Sequence, residues 1–396
     1  MKITKVDVLL VTTKNPIWHP ILCRVYTDAG ICGDGEAAVA YVNGQTAAFG
    51  MIQDLAKLVI GMDPLKNEVI WDKLYKTTFW GQNGGPIVFS GISALDIAMW
   101  DIKGKHFKAP IHELLGGKRR DKLRTYASQL QFGWETFWTG EGTGIAQCTK
   151  EDYAKTCKKA MDEGYDAVKI DFFTFDKDGT PFTEEQRTRL IRPYYINMIE
   201  ERLKEIRKVC GNDLDIIIEN HSFLDAQGAV QVGQMAEKYR IMYFEEPNTP
   251  TPYMQKYIAD KVNIPQASGE RIYSRWQYAP YFENKSLQVI QPDIGNCGGI
   301  TEAKKICDMA YAYDVSVQAH VCATPLSTSV SLHLESVIPN FVIHEHHVAN
   351  RCAFNANLSK YNPQPVKGMF EVPDEPGIGN EISADAYKQA QVVTIK

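Results

Sequence analysis

The sequence has no run of 18 apolar residues, no basic stripe and no C-x-x-C pair, and each absence closes off a class of function. Without a long apolar run, no segment reads as a membrane span. Lysine and arginine number 43 against 48 aspartates and glutamates. The resulting net charge of -5 gives no attraction for nucleic acid or an anionic membrane. Nine cysteines lie scattered from Cys23 to Cys352 without repeated spacing. A zinc or disulfide framework needs such spacing, so they read as reduced thiols in a cytoplasmic protein. The segment MKITKVDVLLVTT has too short an apolar stretch for a secretory signal and no small-residue cleavage site, and it reads as a first strand.

What is present is an ordinary globular composition, 44% hydrophobic and 23% charged, over 396 residues, enough for two domains. Residues 2–11 and 21–27 are rich in Val, Ile and Leu, and Asp28–Gly33 marks a hairpin into a third strand. From Gln45 to Phe107 the spacing turns helical, broken by the loop Trp80–Pro86. After Gly116-Gly117 short β-branched runs alternate with helical stretches. The runs are Leu123–Ser128, Ala167–Phe172, Asp215–Asn220, Ile241–Glu245, Ile264–Gly269, Leu287–Gln291, Val315–Ala319 and Phe341–His344. Eight strands separated by helices predict an α/β fold of parallel β-α units closed as a (β/α)8 TIM-type barrel. The tail from about Asn362, rich in Pro and Gly, is expected to return over the first domain.

The later strands end alike. Glu219, Glu245, Glu270, Asp293, His320 and Glu345 follow one another at intervals of roughly 25 residues, one β-α unit per step. Strand C-termini share one mouth of such a barrel, so the six groups are predicted to converge. A lone glutamate there reads as a helix cap or surface carboxylate; six in register do not. Three convergent glutamates cannot all stay ionised without a cation, and an all-oxygen set suits a hard ion, Mg2+ before Ca2+. An Asp on the strand beside His320 can fix its tautomer and leave a competent base. Lys169 and Asp171 are two apart and share a face, as do Glu219 and His221. On spacing alone His221 is equally a metal neighbour, a satisfied structural histidine or a general acid. Asp176–Gly179 with Glu185 resembles part of a calcium loop, but Thr174 stands where the first Asp is needed, and a plain turn before a helix is the better reading.

Five motifs carry a family resemblance: SALDIAMWDIK (Ser93–Lys103), ELLGG (Glu113–Gly117), YFEEP (Tyr243–Pro247), ASGERIYSR (Ala267–Arg275) and QPDIGNCGGITE (Gln291–Glu302), with His320 at the expected distance. The chain resembles the enolase superfamily, in its mandelate racemase-like branch, and most closely the sugar-acid dehydratases. The resemblance implies an N-terminal α+β capping domain (residues 1–122), the barrel (123–361) and a C-terminal segment (362–396) returning to the cap. It implies Mg2+ on Glu219, Glu245 and Glu270, with His320 as base, Asp293 as its partner and Glu345 near the substrate. His221 is similar to the dehydratases' general acid. Glu219 stands where the family usually has Asp, and Lys169-Ile170-Asp171 where racemases have Lys-x-Lys, leaving Asp171 as a carboxylate base or a partner of Lys169. Trp18, His19, Trp80, Gln82 and Asn83 in capping loops, with Arg271, are the implied substrate-binding residues.

The expected activity is dehydration of a small-molecule carboxylate, an aldonate or aldarate, to a 2-keto-3-deoxy acid, in a homo-oligomer without nucleic-acid or membrane partners. Racemisation or epimerisation of a hydroxy or amino acid is the enzymatic alternative. A catalytically degenerate sensor of acid sugars is the alternative from outside catalysis.

Overall fold

The computed structural model describes residues 1–137, 147–188 and 190–396. The chain opens with strands β1 (Ile3–Val11), β2 (Ile21–Thr27) and β3 (Cys32–Ala37), an antiparallel meander. Helices α1 (Gln45–Val59), α2 (Asn67–Thr77) and α3 (Pro86–Phe107) follow and pack on it around Val8, Phe49, Trp71 and Leu95. Most of α3 is buried, as expected of a helix apolar on more than one face, because it lies between this sheet and the barrel. It approaches β3 so closely that a methyl group on Gly35 would sit 1.9 Å from the Ala94 carbonyl oxygen.

The short helix α4 (Ile111–Leu114) leads into the barrel. Its elements run β4 (Lys122–Ser128), α5 (Lys150–Asp162), β5 (Ala167–Asp171), α6 (Glu184–Arg187), α7 (Pro193–Cys210), β6 (Asp215–Glu219), α8 (Ala226–Ala236), β7 (Ile241–Glu245) and α9 (Pro252–Ala259). They continue through β8 (Gln266–Ser268), α10 (Ser274–Glu283), β9 (Val289–Ile290), α11 (Gly299–Ala312), β10 (Ser316–Val317), α12 (Pro325–Val337) and β11 (His344–His347). The eight strands are parallel in the order β10-β9-β8-β7-β6-β5-β4-β11. A parallel bridge from Val317 to Phe341 brings the two ends of this order together. Strand β12 (Met369–Glu371) pairs antiparallel with β4, and β13 (Ala390–Ile395) adds antiparallel to β1 as an edge of the first sheet. Among the described residues no helix is long and apolar enough to cross a membrane. All nine cysteines are free thiols.

The eighth strand corrects the sequence reading. The apolar run Phe341–His344 predicted it, but the residues paired with β4 are His344–His347. Phe341 instead bridges to Val317. The strand proper is polar because the outward faces of His344 and His346 pack edge-on against Phe370 rather than against aliphatic side chains.

Alternation along the strands sorts the barrel interior into layers. Tyr126, Ala167, Ile217, Tyr243, Ala267, Val289 and Ile343 form an apolar floor. Two residues further on, Ser128, Lys169, Glu219, Glu245 and Glu345 make a polar layer, while Val168, Ile170, Ile216 and Ile218 face the helices.

The two domains are joined through helix ends. Helix α11 begins at Gly298 (φ 116°), which has no side chain to cap it. Its free N–H groups are satisfied from α3. Ser93 Oγ accepts from Gly298 N (2.9 Å) and Gly299 N (3.0 Å), and Asp96 accepts from Thr301 N (2.9 Å) and the Thr301 hydroxyl (2.6 Å). A side chain at Gly299, also at positive φ, would collide with the Asp96 carboxylate. Glu36 on β3 acts one step back at α12: it accepts from the N–H (2.9 Å) and hydroxyl (2.6 Å) of Thr324, whose own oxygen caps Leu326 N. The motif Ser93-x-x-Asp96 is thus a cap supplied across a domain boundary.

Ser93→Ala removes the acceptor of two buried N–H groups and should lower stability by about 1–2 kcal/mol in denaturant unfolding. Asp96 adds a pH signature. Burial pushes its carboxyl up to about 7, against the pull of its Thr301 hydrogen bonds. The unfolded carboxyl loses its proton near pH 4, so between roughly pH 4 and 7 the folded state binds more protons and this group's contribution to stability falls as pH rises. Stability of the native chain relative to Asp96→Asn should decline across that window and level off above it; a difference independent of pH contradicts the assignment.

Candidate active site at the barrel mouth

Lys169 is the centre of the polar layer. Its ammonium is fully buried, 2.7 Å from Glu245 Oε1, 3.0 Å from Glu345 Oε1 and 3.4 Å from Glu219 Oε2. Burial would strip its proton, but the three carboxylates outweigh it and hold the amine well above its ordinary value. One cation does not neutralise three carboxylates. Glu245 carries the deficit: burial, then repulsion from Glu219 and Glu345, push it up to about 8 despite Lys169.

Above this layer two imidazoles flank the glutamates in parallel fashion. His320 Nδ1 lies 2.7 Å from Asp293 Oδ2, and its Nε2 3.0 Å from Glu270 Oε2. His221 Nδ1 lies 2.7 Å from Asp171 Oδ2, and its Nε2 3.1 Å from Glu219 Oε1. Each imidazole is lowered by burial and raised more strongly by its carboxylates. His320 ends well above its usual range, chiefly through Glu270 and Asp293. His221 reaches about 9, through Glu219 and Asp171. The buried Asp293 is steadied by Gly295 N (2.7 Å), and Asp171 by Phe173 N (2.8 Å).

Asp171 therefore does not partner Lys169, one of the two roles expected of it: Lys169 pairs with three glutamates, and Asp171 turns to His221. The cause is the backbone after β6. His221 (φ 46°) and Ser222 (φ 62°) are both in the left-handed region, as is Glu246 (φ 44°), to whose carbonyl Ser222 N donates at 2.9 Å. Consecutive non-glycine residues there are strained, and such strain gathers at functional sites.

Glu219, Glu245 and Glu270 each offer an oxygen, and these oxygens lie within 4.8 Å of one another. Glu245 Oε2 is buried without a hydrogen-bond partner. Three hard oxygens, a surplus of negative charge and an orphaned acceptor fit a divalent cation. Arg271 meets part of the charge by pairing with Glu246 and Glu270. Burial notwithstanding, Arg271 and the two histidines hold Glu270 down to about 2.

The site opens into a cavity of about 620 Å³ lined by Glu270, Arg271, His221, His320 and Asp171 together with Tyr41, Gln129 and Arg187. Lys169, Glu219 and Glu245 lie beneath its floor. Of the capping-loop residues expected to bind substrate, none reaches it. Trp18 is fully buried, donating to Asn355 Oδ1 (2.9 Å) and stacking behind His347, so it braces the wall. His19 turns to the Pro16 carbonyl (3.0 Å). Trp80 is 79% exposed and packs edge-on against Phe79. Gln82 is exposed, and Asn83 N donates to Tyr75 Oη (3.3 Å). That loop is the connection from α2 to α3, and only its last residue, Pro86, touches the cavity; the capping residues that do so are Ala38–Asn43.

Other contributors escaped the sequence reading. Gln129 donates to Glu219 Oε2 (2.7 Å), Gln131 supports Gln129, and Ser128 donates to Glu345 Oε1 (2.7 Å). They follow the first barrel strand, so the strand-end rule applied to β4 would have found them. Cys322 and His347 line the cavity and contact each other at 3.4 Å. The Asp176–Gly179 segment is a plain turn, with Gly179 at φ 84°, before the Thr183–Gln186 capping box.

The profile "Enolase C-terminal domain-like" matches residues 152–386, and that of the mandelate racemase/muconate lactonizing enzyme N-terminal domain matches 11–116. The chain is similar over its whole length to a Zymomonas mobilis ZM4 protein named provisionally as a dehydratase, with 47% identity, 99% of that chain covered and a TM-score of 0.95. A member of the enolase superfamily from Salmonella typhimurium is 48% identical, both chains fully covered, with a TM-score of 0.95. An Agrobacterium tumefaciens enolase of the mandelate racemase subgroup is 28% identical over all of this chain and 98% of its own, with a TM-score of 0.82.

Adding Mg2+ should raise the thermal unfolding midpoint of the native chain, because a ligand bound by the folded state alone stabilises it. Glu245→Gln should lose most of that rise. An equal rise in both proteins would place the cation elsewhere.

Proposed function

The chain belongs to the enolase superfamily, in its mandelate racemase/muconate lactonizing enzyme branch, and on that footing we propose that it is a Mg2+-dependent dehydratase of a sugar acid, an aldonate or aldarate. The observation that carries this reading is the second imidazole-carboxylate pair, His221 with Asp171, set against the same glutamates as His320 with Asp293. Elimination of water next to a carboxylate needs a base for the α-carbon proton and an acid for the departing hydroxyl. The kinship with proteins named provisionally as dehydratases from Zymomonas mobilis and Mesorhizobium loti supports the same reading.

Glu219, Glu245 and Glu270 would hold the ion, which when bound polarises the substrate carboxylate and stabilises negative charge developing on its oxygens. The remaining work falls to side chains. Asp293 keeps the proton on His320 Nδ1, leaving Nε2 to accept the C2 proton. The upward pull on His320 comes first from Glu270, one of the three residues that would hold the ion, and a cation there would relieve that pull. His221, whose protonated form is favoured by the Asp171 carboxylate 2.7 Å from its Nδ1, delivers a proton to the 3-hydroxyl, which leaves as water. The enol that remains tautomerises to the 2-keto-3-deoxy acid. Lys169 fixes the positions of Glu219, Glu245 and Glu345 throughout.

The near-symmetry of the two pairs also favours a second reading. A base on each side of one carbon is the arrangement for racemisation or epimerisation, and His221 offers the second base that the missing Lys of Lys-x-Lys would have supplied.

A panel of four- to six-carbon aldonates and aldarates, assayed for 2-keto acid in D2O, separates the two. Dehydration yields a keto product; racemisation returns the acid with deuterium at C2 and every hydroxyl retained. His320→Asn should lower turnover by about 10²–10⁴-fold with an unchanged unfolding midpoint. Full activity in that variant would sink the assignment.

A further inference from the structure

Two cations line the cavity, Arg271 and Arg187, with Lys169 just beneath its floor, and two of these three are already matched. Lys169 sits among Glu219, Glu245 and Glu345, and Arg271 between Glu246 and Glu270. Arg187 is different. Among the described residues no carboxylate comes within ion-pairing distance of it, and its Nε is buried without a hydrogen-bond partner. Burial disfavours the charge, and Asp171 and Glu184 offset this only from beyond contact, so a half-buried guanidinium here is costly unless a direct partner is supplied.

Its placement is built. Arg187 closes α6, whose start is fixed by the reciprocal Thr183–Gln186 hydrogen bonds, and Gln186 also donates to Tyr195 Oη (2.8 Å). The guanidinium lies 3.7 Å from the centre of the Phe223 ring. A stacked guanidinium keeps its in-plane N–H groups for a planar anion. Phe223 in turn lies beside His221, ring centres 6.5 Å apart. Going outward from the glutamates, the cavity therefore presents His221, then Phe223 and Arg187, with Tyr41 of the capping domain also on the wall. A substrate whose first carboxylate lies at the glutamates and whose 3-hydroxyl lies at His221 extends its far end toward Arg187.

We infer that Arg187 receives a second anionic group at the far end of the substrate, so that the site selects dianionic acid sugars: aldarates, or aldonates ending in a phosphate. The inference rests on the sugar-acid reading above and narrows it. It assigns to the segment between β5 and α7 a specificity role that the capping loop Trp80–Pro86 does not fill.

The test uses the full chain with Mg2+ and matched compounds of one stereochemistry: a hexonate, the hexarate and the 6-phosphohexonate. kcat/KM for one of the dianions should exceed that for the hexonate by about ten- to a hundredfold, the worth of a charge-assisted hydrogen bond. Arg187→Gln should shrink that ratio toward one, acting mainly through KM, and Arg187→Lys should restore part of it. Whichever dianion shows the larger loss identifies the terminal group as carboxylate or phosphate. Calorimetric binding of the same compounds to the native chain and both variants gives a readout independent of turnover. Dianion binding weakened by Arg187→Gln, with no acid dehydrated, supports the role of Arg187 while refuting dehydration. Dehydration with no preference for dianions, or a preference that survives Arg187→Gln, overturns the inference and leaves dehydration standing. Failure of every dianion to bind overturns it as well.

Discussion

The fold is organised around a buried charge imbalance. Inside the barrel, Lys169 alone faces Glu219, Glu245 and Glu345, all essentially without solvent. Removing several charges from water costs several kcal/mol for each unless partners replace the lost hydration. The lysine offsets part of that cost and fixes where the carboxylates stand, but it leaves an excess that a divalent ion can neutralise. The apolar floor beneath and the strand-to-strand register, Asp171 beside Glu219 and Glu219 beside Glu245, hold the groups in place without freedom to relax apart. An arrangement unfavourable by itself thereby becomes a strong receptor for positive charge.

The capping domain depends on the same barrel in another way. Ser93 and Asp96 satisfy the first N–H groups of α11, which has no side-chain cap of its own, and Glu36 holds Thr324, the residue that caps α12. The domains are joined by obligatory backbone hydrogen bonds as well as apolar contact, so the loop Ala38–Asn43 is delivered to the cavity from a fixed base. Bonds of this kind have narrow geometry, which restricts how far the cap can tilt without leaving helix termini unpaired.

Much of this was legible in the sequence because the barrel repeats. A functional group at each strand end recurs with the β-α unit, so Glu219, Glu245, Glu270, Asp293, His320 and Glu345 could be placed at one mouth before any coordinates. What could not be read was what departs from the repeat. The partner of Asp171 is decided by left-handed backbone at His221 and Ser222, which residue types there do not announce. The aromatics Trp18 and Trp80 looked alike as loop tryptophans, yet one is a buried brace and the other lies in solvent. Arg187 closes a single helical turn, too short to carry a periodic signal. The eighth strand was displaced toward Phe341 because aliphatic content marks burial, and its burial is against aromatic and histidine rings instead.

The antiparallel pairing of β13 with β1 has a bearing on how the molecule is made. The first sheet leaves the ribosome before the barrel does but acquires its outer strand from a segment translated after the whole barrel. Until then β1 presents an open edge, the kind of surface that invites wrong pairing. Contacts of such long sequence separation form slowly, so the cap is completed only after the barrel has been synthesised. Loss of β13 would then expose the edge of a sheet made long before it, and damage around Ala390 would be read out as aggregation through β1.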